Sequence, residues 1–167
     1  MNTRTRLFAA LCALSLVSQA GAQTSPGARE VLERIERVGP TAAFSEIARR
    51  EGEYGRILKN ISSGQSDWLL VARSLAPAVD GFAATELVTS LSFALESEPR
   101  QTLRALDTDR SSIVSIPDVC SAGAVAVFDE EGIKRKQWAE RVRRKLKTVQ
   151  DGELLRKKAI CTINLPR

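Results

Sequence analysis

Two pairs of neighbouring glutamates are the residues of this chain whose type and spacing best fit acid–base chemistry. Glu51 and Glu53 form one pair, and Glu96 and Glu98 form the other. Two carboxyl groups that flank a glycosidic bond are what the cleavage of a sugar chain requires. Spacing along the chain does not by itself make a site, however, and glutamates in helical proteins mostly lie on the solvated surface. We therefore expect neither pair to be catalytic.

Histidine is absent from the chain. Its absence removes the commonest general base, the Ser–His and Cys–His nucleophile pairs, and every zinc site that uses an imidazole ligand. An all-thiolate zinc site needs four cysteines, and the chain has three, one of them near its N-terminus. The chemistry that survives is acid–base catalysis by carboxylates, or a hydroxyl group activated by lysine. We predict that the protein is not an enzyme and that it uses no cofactor, and an enzyme is the third hypothesis.

One segment, residues 107 to 118, carries oxygen atoms at the spacing of a calcium site. Its first, third, fifth, ninth and twelfth residues are Asp107, Asp109, Ser111, Ser115 and Asp118. This spacing resembles an EF-hand loop. A serine replaces the glycine that the sharp turn of that loop needs, and the last position holds aspartate where the longer glutamate is usual. We therefore predict no metal here, and interpret the segment as a polar turn whose serines and aspartates cap backbone groups.

The N-terminal segment has the layout of a secretory signal peptide. Arg4 and Arg6 precede an apolar run over residues 7 to 17, and small residues follow up to Ala22. The run is shorter than the roughly 20 apolar residues that cross a bilayer. We predict that residues 1 to 22 are cleaved near Ala22, that residues 23 to 167 form a single helical domain, and that this domain is periplasmic or secreted.

Export would place the two remaining cysteines, Cys120 and Cys161, in a compartment where thiols oxidise. We predict that they form a disulfide, and the alternative is two separate buried thiols. The bridge would close a long loop, for which the chain-entropy model gives a stabilisation of about 4 kcal/mol. It would tie the C-terminal helix to the middle of the chain.

The hydrophobic pattern of the mature chain predicts an all-α fold of about seven or eight helices, stacked as antiparallel hairpins. Apolar residues recur at intervals of three and four, and glycines and prolines fall mainly between these stretches. The most hydrophobic stretch, which begins at Phe82, is expected at the centre. Residues 107 to 128 are the least regular, with Pro117 breaking the pattern and residues 122 to 128 ambiguous between strand and buried loop.

Two helices are predicted after this irregular part. The first is capped by Asp129 and buries a stripe at Trp138, Val142, Leu146 and Val149. The second packs through Leu154, Leu155, Ala159 and Ile160 and carries Cys161.

A stretch of about residues 66 to 106 resembles the helical pairs of HEAT-like repeat proteins. The residues that carry this resemblance are Trp68, Pro77, Asp80, Leu87, Leu95, Pro99 and Leu103. The resemblance implies a curved helical scaffold for binding, and it assigns a role to no individual residue.

The charges are divided unevenly along the chain. Residues 23 to 131 hold 11 Lys or Arg against 17 Asp or Glu, whereas residues 132 to 167 hold 12 against 3. A basic end can meet anionic lipid, an acidic protein, or the acidic half of its own chain. The candidate interaction residues are the cations of one predicted helix: Lys134, Arg135, Lys136, Arg141, Arg143, Arg144, Lys145 and Lys147. The simpler interpretation is a solvated surface helix whose apolar side faces the core.

These features predict an exported, non-enzymatic binding or inhibitor module that acts on a partner protein through a helical interface. A periplasmic immunity-type protein, which neutralises a toxin that attacks the cell wall or membrane, is one specific version. The alternative is a peripheral envelope protein that docks its basic amphipathic helix, about residues 130 to 149, on anionic lipid or glycan. Nucleic acid is not expected as a partner of an exported protein.

Overall fold

The computed structural model of the protein describes residues 26 to 121 and 135 to 166. Within these ranges the chain forms nine α-helices, two short 3₁₀ helices and no extended strand, which confirms the predicted all-α class. The helices are α1 Pro26–Val38, α2 Pro40–Arg49, α3 Glu53–Ile61, α4 Ser66–Leu75, α5 Gly81–Ser97, α6 Pro99–Ala105, α7 Ile116–Ser121, α8 Arg135–Lys147 and α9 Leu155–Asn164. The 3₁₀ helices are Ala76–Ala78 and Gly152–Leu154.

The described residues form one helix more than the about seven or eight predicted, since α7 was not expected. Pro117 was expected to break the pattern, but it is the second residue of this helix. A proline is tolerated in the first turn, where its missing N–H would have no helical partner and its fixed φ suits the helix. The stacking of the helices as antiparallel hairpins stays a prediction. The predicted strand or loop at residues 122 to 128 and the cap at Asp129 lie outside the described residues.

The core is built around α5, as the sequence predicted. Leu87, Leu91 and Leu95 of this helix are almost completely buried. The helix lies in contact with α3, α6, α7 and α8, so it joins the two ends of the described chain. No helix among the described residues is long and apolar enough to cross a membrane.

The turn between α3 and α4 makes a close contact with the end of α5. Gly64 has a φ of 76°, and a Cβ atom added to it would lie 2.6 Å from Cβ of Glu98 and 3.1 Å from the carbonyl oxygen of Ala94. Both the positive φ and the lack of space require glycine at this position. Gly39, between α1 and α2, also has a positive φ of 81°, but an added Cβ would meet nothing within 4 Å.

The predicted disulfide is present and joins α7 to α9. The sulfur atoms of Cys120 and Cys161 are bonded, the two Cα atoms lie 5.4 Å apart, and both residues are fully buried. Because Cys161 must face inward to reach Cys120, the disulfide fixes the rotation of α9 about its axis.

This rotation corrects the predicted packing of the last helix. Leu154, in the 3₁₀ turn before α9, is buried and Ile160 is half-buried, as expected. Leu155 and Ala159 were also expected inside, but both are exposed. They lie on the side of the helix opposite Cys161, since six and two residues at 100° per residue place them 120° and 160° away from it.

Candidate functional site

The predicted interaction helix, α8, has its apolar side in the core. Trp138, Ala139, Val142 and Leu146 are at most 1% exposed. The helix therefore packs as the simpler sequence interpretation predicted, and only its charged side is open to a partner. Val149, the last residue of the predicted stripe, is also buried just beyond the end of the helix.

Two arginines of the candidate set are engaged by neighbouring parts of the fold. Arg141 donates to both carboxylate oxygens of Glu96, at 2.6 and 3.3 Å, so the basic end does pair with the acidic half at this point. Arg135 donates to the carbonyl oxygen of Ser121 at 2.8 Å, close to the disulfide. Both arginines therefore have a structural role.

A third arginine holds the end of α9 against α8. Arg143 donates to the carbonyl oxygens of Leu165 and Pro166, at 3.3 and 2.6 Å. At the other end of the contact, Lys158 donates to the carbonyl oxygen of Val149 at 2.9 Å. The start of α9 thus lies beside the end of α8, and the end of α9 lies beside its middle.

The remaining described members of the candidate set are exposed and free of such contacts. The side chains of Lys136, Arg144, Lys145 and Lys147 make no ion pair and no hydrogen bond with any described residue. We call them the free cations of α8. Lys134 lies outside the described residues. The structure therefore divides the predicted cluster into cations that hold the fold together and cations that are available to a partner.

The first glutamate pair belongs to an ion-pair network between helices. Glu53, which is 7% exposed, accepts a hydrogen bond from Arg34 of α1 at 2.9 Å and lies 3.5 Å from a guanidinium nitrogen of Arg50. Glu51 is exposed beside it. The two glutamates border an open cavity of about 430 Å³ whose other lining residues are Glu30, Arg34, Arg50, Gly52 and Arg56. Glu53 thus ties α3 to α1.

The second glutamate pair is separated by its partners. Glu96 is engaged by Arg141, whereas Glu98 is exposed at the end of α5, where its backbone N–H donates to the carbonyl oxygen of Ala94. The non-enzymatic character of the protein stays a prediction.

The segment that resembles an EF-hand loop is closed by its own side chains. Asp109 accepts a hydrogen bond from the N–H of Ser111 at 2.9 Å, and this bond lowers the pKa of its carboxyl group. Ser115 donates to the carboxylate of Asp118, whose N–H donates back to the hydroxyl of Ser115 at the start of α7. Asp107 accepts from Ser112. These are the contacts of the polar, capped turn that the sequence predicts.

Lysine and arginine side chains supply positive charge next to this loop. Arg73 lies 3.6 Å from the carboxylate of Asp107. The ammonium group of Lys157 donates to the carbonyl oxygens of Arg104 and Leu106, just before the loop begins. Burial lowers the pKa of Lys157, an effect that Asp107 opposes. Among the residues that the structure describes, no group of three or more Cys, Asp or Glu side chains is placed to hold a metal ion.

Sequence reasoning missed two features of the surface. One is the pairing of Arg34 with Glu53, which are 19 residues apart in the chain and gave no periodic signal. The other is the presence of large apolar side chains in solvent, since Phe82 is 78% exposed and Ile163 is 81% exposed. The exposure of Ile163 was foreseeable, because the predicted disulfide turns Cys161 inward and a residue two positions later must then face outward.

Comparison of the chain with known protein families, curated proteins and solved structures finds no match. The resemblance of residues 66 to 106 to HEAT-like repeats therefore stays a prediction, and the function is argued from the arrangement of the side chains.

Proposed function

We propose that the protein is an exported, non-enzymatic binding module that recognises a partner protein through its helical surface. One observation carries the proposal. In the described residues, one glutamate of each candidate pair, Glu53 or Glu96, and the loop carboxylates of Asp107 and Asp118 are engaged by neighbours, whereas the free cations of α8 are exposed and make no ion pair. Exposed cations of this kind are available to a partner with a complementary charge.

The disulfide supports the exported part of the proposal. Structural disulfides persist in oxidising compartments such as the periplasm or the extracellular space, and they are rare in the cytosol. The bond between Cys120 and Cys161 is compatible with this setting. The proposed signal peptide, residues 1 to 22, lies outside the described residues.

The structure favours a protein partner over a lipid surface. An interfacial helix binds a membrane by inserting its apolar side, but the apolar side of α8 is already buried in the core. What remains is charge, which contributes about 1 kcal/mol per cation near an anionic membrane, and stable anchoring needs a second signal. Docking of α8 on anionic lipid or glycan is therefore the second candidate, and it would act through the free cations alone.

An immunity-type inhibitor is a specific form of the proposed function. Such a protein needs an exposed surface complementary to the toxin and no reactive centre of its own. The free cations would fit a toxin with an acidic surface, because complementary charge speeds encounter and selects the partner.

The proposal is tested by reversing the charge of the free cations. We expect the variant Lys136→Glu, Arg144→Glu, Lys147→Glu to lose the partner protein that the wild-type chain captures from an envelope extract. The matched control reverses three exposed basic residues elsewhere, Arg37→Glu, Lys59→Glu and Arg110→Glu, and should capture it normally. Equal capture by both variants would show that the free cations do not bind the partner.

The dependence of binding on salt and on lipid distinguishes the envelope candidate from the proposed binding of a protein. Charge-driven binding to vesicles of phosphatidylglycerol and phosphatidylcholine should weaken steeply as salt rises, because exposed charges are screened. A protein interface with an apolar centre should survive the same salt. Sedimentation of the wild-type chain with these vesicles, reversed by salt and by the charge-reversed variant, would favour the envelope candidate.

A further inference from the structure

The outward side of α9 carries an apolar stripe that is not part of the buried core. Leu155, Ala159 and Ile163 follow one another at intervals of four residues, and residues at this interval lie one above the other on a helix. Leu155 is 49% exposed and Ile163 is 81% exposed, while Ala159 between them is also exposed. Because the disulfide fixes the rotation of α9, the stripe cannot turn inward without breaking that bond.

Cations stand on both sides of this stripe. Arg156 lies seven residues before Ile163 and so shares its side of α9, where it is exposed and makes no ion pair with the described residues. Across the contact between the helices, Arg143 reaches the end of α9. Lys147 comes four residues after Arg143, on the same side of α8, and it is one of the free cations.

We propose that this surface, made of Leu155, Ala159 and Ile163 between Lys147 and Arg156, is the docking site for an acidic amphipathic segment of the partner protein. The inference rests on the proposed function and adds the chemistry of the partner. An apolar side chain of the partner covers Ile163, and carboxylates on either side of it meet Lys147 and Arg156. Interfaces of this kind have an apolar centre that supplies affinity and a charged rim that supplies specificity.

Charge selects this occupant over a second copy of the chain. In a two-fold dimer the same surface would face itself, so that the cations of one copy would meet those of the other. Like charges placed against each other disfavour such a contact. Carboxylates on a different protein remove the repulsion and leave the same apolar contact.

The probe for this site is a synthetic helical peptide with leucines at intervals of three and four residues and glutamates elsewhere. We expect it to bind the mature chain, as measured by calorimetry. The variant Ile163→Ser should weaken binding by about tenfold, because it removes the apolar side chain that the peptide covers. The double reversal Lys147→Glu, Arg156→Glu should abolish binding.

Two controls make the result specific. Phe82 is as exposed as Ile163 but lies at the start of α5, so Phe82→Ser should bind the peptide like the wild type. A peptide with lysine in place of every glutamate should not bind. Circular dichroism of each variant checks that the helices are intact, as expected for substitutions at exposed positions.

The outcomes separate this inference from the proposed function. If Ile163→Ser binds the acidic peptide normally while reversal of the free cations still prevents capture of the partner, the docking site is wrong and the proposed function stands. Absence of peptide binding at millimolar concentration overturns the docking site. So does binding to anionic vesicles that Ile163→Ser abolishes, or a dimer of the mature chain that the same change dissociates.

Discussion

Tyr54, the only tyrosine of the chain, is half-buried, and its hydroxyl group has a defined partner. Its hydroxyl donates to the carbonyl oxygen of Ala83 at 2.7 Å, which connects α3 to the first turn of α5. Its ring meets that of Phe44 edge to face, with the centroids 5.2 Å apart. Burial raises the pKa of Tyr54 well above its usual value, and the nearby charge of Glu86 raises it further.

We predict that the stability of the protein falls as pH rises above about 10. A tyrosine in the unfolded chain ionises near pH 10, whereas Tyr54 in the folded chain stays neutral there. Proton loss then favours the unfolded state, so stability present below pH 10 is lost above it. As the pH is raised, tyrosinate absorbance should appear at a higher pH in the native protein than in the protein unfolded by urea. Coincident titrations would contradict the prediction.

The pair Arg34–Glu53 predicts an asymmetry between single and double substitutions. Glu53→Leu leaves a nearly buried guanidinium group without its closest partner and should cost about 3 kcal/mol of unfolding free energy. The double variant Arg34→Met, Glu53→Leu should recover most of this loss, since two apolar side chains replace the pair. Urea unfolding measures both. A double variant no more stable than Glu53→Leu would show that the pair does not act as a unit.

At the scale of the helices, two turn glycines offer a comparison between backbone strain and lack of space. Gly64→Ala should lower the unfolding free energy by about 2 to 4 kcal/mol, because it combines a positive φ with a clash against the end of α5. Gly52→Ala, at a similar φ of 72° but with nothing within 4 Å of the added Cβ atom, should cost about 1 kcal/mol. Thermal or urea unfolding gives both values. Equal losses would mean that α5 moves aside at no cost.

A helix could be predicted where a pattern of residues close together in sequence was enough to specify it. The periodicity of α5 placed this helix correctly, because it depends on residues close together in sequence. The helix α7 was missed since its six residues are too few to show a period and Pro117 argued against it. The outward side of α9 was misassigned because the periodicity of its apolar residues fits two rotations, and only the disulfide chooses between them.

Only part of the candidate site could be predicted from the sequence. The distribution of charge along the chain predicted the basic helix. It gave no sign that Arg141 and Arg143 make contacts within the fold. Nor did it indicate that Arg144 and Lys147 are free. That difference depends on which helices meet in space. Contacts between distant residues, such as Arg143 with the backbone at the end of α9, leave no pattern in the chain.

For the molecule as a whole, the disulfide is expected to contribute strongly to stability. Replacing Cys120 and Cys161 together by alanine should lower the unfolding free energy by about 2 to 4 kcal/mol, since the bridge spans 41 residues and restricts the unfolded chain. Denaturant unfolding measures the loss. The protein without residues 1 to 22 should also show no free thiol after denaturation without reductant. Two titratable thiols under those conditions would contradict the bridge.

One tryptophan precedes the segment that the disulfide encloses and the other lies within it, so their fluorescence reports on the folding of separate regions. Trp68 lies against α1, with its ring 3.4 Å from the position of a Cβ on Gly27, whereas Trp138 is fully buried in the segment that the disulfide encloses. Each emits from a different region, so a variant that keeps only one of them reports on that region alone. Superimposable fluorescence transitions would mean that the segment enclosed by the bridge and the N-terminal helices melt as one cooperative unit.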